Sequence, residues 1–198
     1  MIYLIDLPLE ILQIIFDKLD FSSQIIIQQQ CRYFYEGLRI YDLYNISIRY
    51  KQKLNDIILQ KFKHVKYLDA SFNKKITDNG IEHLNLHKLC ASNNENITDK
   101  GIKHMDLYML NASYITKSYY IYKIIKNMNL YLLNASDNKN ITDNGIKHMK
   151  LHILNASGNK KITNEGIKYM DLHLLFAWDN KNITEKGIKH MKIVELFN

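Results

Sequence analysis

The chain has 198 residues, of which 46% are apolar and 24% charged, so it can bury a core and is not a disordered tail. Seven Gly and one Pro exclude collagen-like and Pro-rich linker chains, and two cysteines, Cys31 and Cys90, make neither a disulfide framework nor a CxxC zinc pair. The net charge of +7 is uneven: residues 1–40 hold three bases against five acids, and the remainder is strongly basic.

Met1–Leu12 carries Asp6 and Glu10 and no basic n-region, which argues against a signal peptide; no apolar run is long enough to span a membrane. A reducing, intracellular setting is expected. Pro8 stands near a helix start, and Leu12, Ile15, Phe16 and Leu19 follow at 3-4-3 spacing, the pattern of an amphipathic helix. Ser22 or Ser23 is placed to cap a second helix through Gln30, and Cys31-Arg32-Tyr33-Phe34-Tyr35 begins a third. Three helices in about forty residues bury little surface alone and need a partner or the following domain.

Leu43, Ile46 and Ile48 precede Leu54, Ile57, Ile58, Lys61 and Phe62, which have helical spacing. Residues 42–64 read as a degenerate repeat that caps the region beginning at Val65. From Val65 the chain repeats, with units starting at 65, 86, 107, 130, 151 and 172 and a partial one at 193. The pattern is L-x-x-L-x-A-S-x-N-x-x-I-T-D-x-G-I-K-H-M-x.

One unit is physically readable. Leu151, Leu154 and Ala156 put one face of a short strand into a core. Asn159, like Asn73, Asn94, Asn138 and Asn180, is a buried turn residue able to satisfy backbone groups of adjacent units in a ladder. Thr142 is a helix N-cap, Asp143 complements the helix dipole, and Ile146 and Met149 face the core. Gly80, Gly101, Gly145, Gly166 and Gly187 mark places where a neighbouring backbone comes close. A single strand and helical turn cannot close a core, so the units stack as an α/β repeat solenoid with parallel strands.

The unit from Leu107 to Asn129 departs from the pattern. It has Ile115 in place of the ladder Asn, lacks the Gly and gains two residues. Ser118–Met128 reads as a longer helix with Ile121, Ile124, Ile125 and Met128 on one face; Tyr119, Tyr120 and Tyr122 read as its cover or as a contact point on the convex side.

Residues between the core positions of each strand face the concave side and form three columns. The first is Tyr67, Lys88, Met109, Leu132, Ile153, Leu174 and Glu195; the second is Asp69, Cys90, Asn111, Asn134, Asn155, Phe176 and Phe197. The third is Ser71, Ser92, Ser113, Ser136, Ser157 and Trp178. Phe176 and the single Trp, Trp178, stand where other units have Asn and Ser. With Leu132, Ile153, Leu174 and Phe197 they form an apolar patch, which reads as a substrate site, a shield for the C-terminal end, or an edge that pairs with another chain.

Other signals carry less. His83 and His87, and His148 and His152, are four apart, but one of each pair ends a helix and the other starts a strand, so a metal site is not expected. The sequons at Asn96, Asn111, Asn134, Asn140, Asn155 and Asn182 are by-products of the repeat. No nucleophile elbow, phosphate loop or catalytic carboxylate pair is present; the chain is expected to be no enzyme, to have no catalytic residue and to use no cofactor. Lys74, Lys75, Lys139, Lys160, Lys161 and Lys181 align in a basic ribbon. Regular aromatic stacking partners are missing and Glu95 interrupts it, which argues against nucleic acid.

The order L-P-x-E-I-L-x-x-I-F-x-x-L-D from Leu7 to Asp20, followed by Cys31-Arg32 and Phe34, resembles an F-box across residues 1–41. Units with I-T-D-x-G-I over 65–198 resemble the leucine-rich repeats that follow many F-boxes, though these are shorter and have Ala where Leu is usual. The whole is similar to the F-box/leucine-rich-repeat family and, by its bias to Asn, Ile and Lys, to members encoded by mimivirus-like giant DNA viruses of amoebae. That resemblance implies a substrate-recognition subunit of a cullin-RING ubiquitin ligase in the host cytoplasm. Leu7, Pro8, Ile11, Leu12, Ile15 and Phe16 would then dock on a Skp-type adaptor while the repeats hold a protein substrate. A non-degradative scaffold or a decoy for host adaptors is the alternative.

Overall fold

A computed structural model describes residues 7–115 and 125–191, with 195–197 as backbone. Three helices open the chain: α1 (Leu9–Phe16), α2 (Phe21–Gln28) and α3 (Arg32–Gly37). Pro8 occupies the N-cap position of α1. The cap of α2 is Asp20, not a serine: its carboxylate accepts from the Ser22 and Ser23 amides and from the Ser23 hydroxyl. These bonds, the Ser23 hydroxyl first, hold the Asp20 carboxyl below the usual carboxylate range.

Glutamines stitch the helices together. Gln13 donates to the Arg39 carbonyl and accepts from its amide, Gln24 donates to the Phe16 carbonyl, and Gln28 to that of Leu38. In residues 24–30, rich in Ile and Gln, Gln24 and Gln28 stitch while Ile25 and Ile27 pack against the core.

Residues 42–64 join the sheet as its first strand, β1 (Asp42–Leu43), and form two short helices, α4 (Ile48–Lys51) and α5 (Asp56–Leu59). The expected helix through Leu54–Phe62 is broken because Asn55 caps α5, accepting from the Ile58 amide, while Leu54 turns into the core. Thereafter, among the described residues, strands and single-turn helices alternate except between Asn111 and Leu132. The strands are β2 (Tyr67–Asp69), β3 (Lys88–Cys90), β4 (Met109–Asn111), β5 (Leu132–Asn134), β6 (Ile153–Asn155), β7 (Leu174–Phe176) and β8 (Glu195–Phe197). The helices are α6 (Asp78–Ile81), α7 (Asp99–Ile102), α8 (Asp143–Ile146), α9 (Asn164–Ile167) and α10 (Glu185–Ile188).

Every strand pairs in parallel with the next, giving one open eight-stranded sheet in the order of the chain. Such repetition is an α/β repeat, solenoid-like fold. The core is a continuous band in which Leu68, Leu89, Leu110, Leu133, Leu154 and Leu175 from the strands meet Ile81, Ile102, Ile146 and Ile167 from the helices. Ala70, Ala91, Ala112, Ala135, Ala156 and Ala177 are buried, so a larger side chain there would force the layers apart.

Two ladders lock one unit to the next. Asn94 Nδ2 donates to the carbonyls of Ala70, Asn73 and Ile76, and Asn180 Nδ2 to those of Ala156, Asn159 and Ile162. In the unit after the irregular one, Asn138 Nδ2 has one such acceptor among the described residues, Ala112. The second ladder lies at the helices. Asp56 accepts from the amide and hydroxyl of Thr77, Asp78 from those of Thr98, and Asp143 from those of Thr163. The Asp is thus an inter-unit clasp, beyond any dipole role. Thr77, Thr98 and Thr163 also cap their helices, whereas Thr142 makes no side-chain cap bond. The glycines follow from the clasp: a Cβ on Gly80 or Gly101 would strike the Asp56 or Asp78 carboxylate first. A side chain, more than the expected backbone, makes the close approach.

The N-terminal helices share this core. Leu12, Phe16, Leu38 and Ile40 belong to the same cluster as Leu43 and Leu59. Phe21 packs edge-on to Tyr50 at 5.1 Å, and the Ser22 hydroxyl meets the Tyr50 hydroxyl at 2.6 Å. The helix read from Ser118 to Met128, with its tyrosines, falls largely outside the described residues; of it, Ile125 is buried.

Candidate functional site

Helix α1, LEILQIIF, is apolar almost all round, so burial decides its roles. Leu12 and Phe16, four apart, point into the core at 3% and 1% exposure. This corrects their reading as contact residues: a partner meets them only if the helix leaves its seat. Ile11 and Ile15 point outward at 43% and 42%, Pro8 is exposed and Leu7 half-buried. Ile14, missed in the sequence reading, is the most exposed apolar residue of the helix at 59%, and Ile26 of α2 is exposed too. Pro8, Ile11, Ile14 and Ile15 recur at three- and four-residue steps, which puts them on one helix side. Exposed branched aliphatic side chains in a cluster are uncommon on a self-sufficient surface.

The second candidate surface is the sheet face opposite the core. The pairing registers place Tyr67, Lys88, Met109, Leu132, Ile153, Leu174 and Glu195 in one row and Asp69, Cys90, Asn111, Asn134, Asn155, Phe176 and Phe197 in the next. Neighbours in a row lie about 4.8 Å apart. The third column is not an open row. Ser92, Ser113 and Ser136 are buried, and the Ser113 hydroxyl donates to Ser92 Oγ. The Asn111, Asn134 and Asn155 carboxamide oxygens accept from the Ser113, Ser136 and Ser157 amides, so the two columns brace each other.

Polarity changes along this face. Near β1 and β2, Lys51 Nζ lies 2.5 Å from Asp69 Oδ2, and the Ser71 hydroxyl donates to Asp69 Oδ1. Burial would raise the Asp69 carboxyl, but Lys51 and Ser71 outweigh it and hold it below the usual carboxylate range. Burial pushes the Tyr44 hydroxyl and the Cys90 thiol up, so both are neutral at pH 7. Lys88 Nζ sits 3.6 Å from the centre of the Tyr44 ring. Toward β7 the rows turn apolar: Leu132, Ile153, Leu174 and Phe176 are half-buried, and Trp178 is 55% exposed. Trp178 is held at the edge by its amide bond to Ser157 Oγ. Phe197 lies opposite Phe176 in the strand register, completing the set as a backbone position.

Two features escaped the sequence reading. The residues just before the strands form a fourth row on the other rim, where Tyr108, Tyr131, His152 and His173 stack in series at 4.8, 4.6 and 5.2 Å. Its signal was the first variable position of L-x-x-L, read only as a spacer. His104 Nε2 instead meets the Leu84 carbonyl. The second feature is backbone strain. Phe72, Asn93, Tyr114, Asp137, Gly158 and Asp179 occupy one repeated left-handed position, with φ from 51° to 64°. Asn, Asp and Gly tolerate it; a bulky ring there costs roughly 1–2 kcal/mol. Phe72 and Tyr114 accept that cost while exposed at 68% and 51%.

Among the described residues no cluster of three or more His, Cys, Asp or Glu side chains is arranged to hold a metal ion, and no helix is long and apolar enough to cross a membrane. Compared with known families, residues 4–45 match the F-box domain. No curated protein matches the chain. The matched segment covers α1 to α3 and runs into β1, so the exposed isoleucine cluster lies within it. An F-box supports a role as an adaptor in ubiquitin-ligase-type protein interactions and implies binding of a Skp-type adaptor.

Proposed function

We propose that the chain is a substrate-recognition subunit of a cullin-RING ubiquitin ligase. The F-box docks on a Skp-type adaptor through Leu7, Pro8, Ile11 and Ile15, joined by Ile14. The units from Val65 onward act as leucine-rich repeats that hold a protein substrate on Leu132, Ile153, Leu174, Phe176, Trp178 and Phe197. The observation that carries the reading is the F-box match together with an outward isoleucine cluster on its first helix.

The mechanism needs no bond chemistry from this chain. The shared core and the Phe21–Tyr50 contact couple the F-box to the repeats as one body. A substrate held on the repeats is then presented at a fixed distance from the adaptor, and its lysines meet the ligase at raised local concentration.

The test is a pull-down on a purified Skp-type adaptor, comparing the intact chain with the Ile11→Asp, Ile15→Asp double variant. Both positions are exposed, so the variant keeps its circular dichroism spectrum and melting temperature. The expected result is adaptor binding by the intact chain and at least a hundredfold weaker binding by the variant, on the order of two lost hot-spot contacts. Equal binding by both, or none by either, would remove the ligase role and leave a scaffold.

A further inference from the structure

All strands run parallel, so their C-terminal ends lie along one rim, distinct from the apolar patch on the sheet face. That rim carries Lys74, Lys75, Lys139, Lys160, Lys161 and Lys181, all exposed. The ladder extends it by one unit. Asn73 donates to the carbonyls of Lys51 and Leu54 as Asn94 does to those of Asn73 and Ile76, which places exposed Lys53 in line with Lys75. The acids on the same rim are Asp137 and Asp179, which are exposed, and Glu95, which is half-buried.

The lysines stand on a fixed backbone. The Lys75 amide donates to Asn73 Oδ1 and the Lys161 amide to Asn159 Oδ1. The carbonyls of Lys74 and Lys160 accept from Asn96 and Asn182. The strained rings stand on the same rim: Phe72 two residues before the Lys74-Lys75 pair, and Tyr114 two strand steps away, on the order of 10 Å along the rim. The absence of stacking partners counted against nucleic acid in the sequence reading; these two rings supply them.

We propose that this rim binds single-stranded nucleic acid, with Phe72 and Tyr114 as stacking platforms for bases and the lysine line meeting the phosphates. Local strain at an exposed position needs a use, because the repeat offers Asn, Asp or Gly there at no such cost. A protein hot spot would set the rings within an apolar, well-packed surround. Phe72 has Ser71, Asn73 and Lys74 as its chain neighbours instead. An open ring beside fixed cations is what sequence-tolerant base stacking requires.

The experiment is fluorescence anisotropy with a labelled oligouridylate of about 20 nucleotides, enough to cover one basic groove. The intact chain is compared with the Phe72→Asn, Tyr114→Asn double variant. Asn93 holds the same backbone conformation natively, so the variant folds, with an equal or higher melting temperature. The expected result is binding that weakens steeply between about 50 and 200 mM salt. The double variant should bind about a hundredfold more weakly, roughly tenfold for each ring. Absence of binding at low salt would overturn the proposal, and so would equal affinity of the variant. Polyglutamate binding that depends on the two rings would assign the rim to an acidic protein and overturn it too. The Ile11→Asp, Ile15→Asp variant should bind the oligonucleotide normally, which separates this surface from adaptor docking.

Discussion

The two ends of the open sheet face share a backbone and differ in what their side chains do. At the N-terminal end Lys51, Asp69 and Ser71 hold one another, and Lys88 rests on Tyr44. At the C-terminal end the same rows carry Leu132, Ile153, Leu174 and Phe176, with Trp178 beside them. The register passes from one end to the other without a slip. A repeat protein can therefore write a binding surface into one end of a face while the fold stays constant. A ligand on the polar end would first have to displace an ion pair, leaving a carboxylate partly desolvated. A ligand on the apolar end removes hydrocarbon from water and strips no charge.

That contrast rests on a ladder common to both ends, and the largest effects come from breaking it. Asn94→Ala leaves the carbonyls of Ala70, Asn73 and Ile76 without their side-chain donor. The Ala70 and Asn73 carbonyls keep the amides of Asn73 and Ile76, so the expected loss, about 2–4 kcal/mol, is that of three hydrogen bonds at roughly 0.5–1.5 kcal/mol each. Asn138→Ala removes one such bond among the described residues, besides the two that its Oδ1 accepts from the Asn140 and Ile141 amides, and should cost less than Asn94→Ala, about 1–2 kcal/mol. Urea denaturation of the two variants checks the ranking. Equal losses would mean that the ladder bonds are not what joins the units.

Asp69→Asn probes the polar end. It should destabilise the chain by about 1–2 kcal/mol at pH 7, the range for a hydrogen bond to a charged partner. The Asp69 carboxyl is depressed in the fold, so its contribution is complete above the unfolded value near pH 4 and fades as pH falls through the folded value. The stability gap between wild type and variant should therefore close toward pH 3. A gap that stays constant from pH 7 to pH 3 would show that the loss is one of packing.

Much of this was legible before the structure. A period near 21 residues fixed the strand register, because a one-residue slip would turn Leu89 or Leu154 out of the core. The buried Asn was legible because a polar residue that recurs at one turn position, as in five of the units, needs acceptors. Other features were hidden for physical reasons. Helix α1 has a polar side only as wide as Glu10 and Gln13, so little in its sequence separates buried Leu12 and Phe16 from exposed Ile11, Ile14 and Ile15. Asp78 sits in the first helical turn beside its own Thr77, yet its partner is Thr98, one unit on; its place in the chain suggested a dipole role where stacking made a clasp. Ser92 and Ser113 were read as surface because strand alternation was carried past the strand, where the chain has already turned toward the loop.

The apolar end gives the smallest expected effect on stability. Phe176→Asn with Trp178→Ser restores the residues that other units carry at these positions, Asn155 and Ser157. Both native side chains lie on the face opposite the core, Phe176 half-buried and Trp178 exposed, so the double variant should change stability by no more than about 0.5 kcal/mol. Binding should respond instead. An environment-sensitive hydrophobic dye such as bis-ANS should lose most of its fluorescence with this variant and keep it with Asp69→Asn. If the double variant unfolds at a much lower temperature, the aromatics serve as a shield over the last units, and the comparison between the two ends becomes one of two kinds of structural support. If stability holds and dye binding falls, the C-terminal end is a surface kept for a partner, since a chain gains nothing from exposing Trp178 that Ser would not give it at lower risk of aggregation.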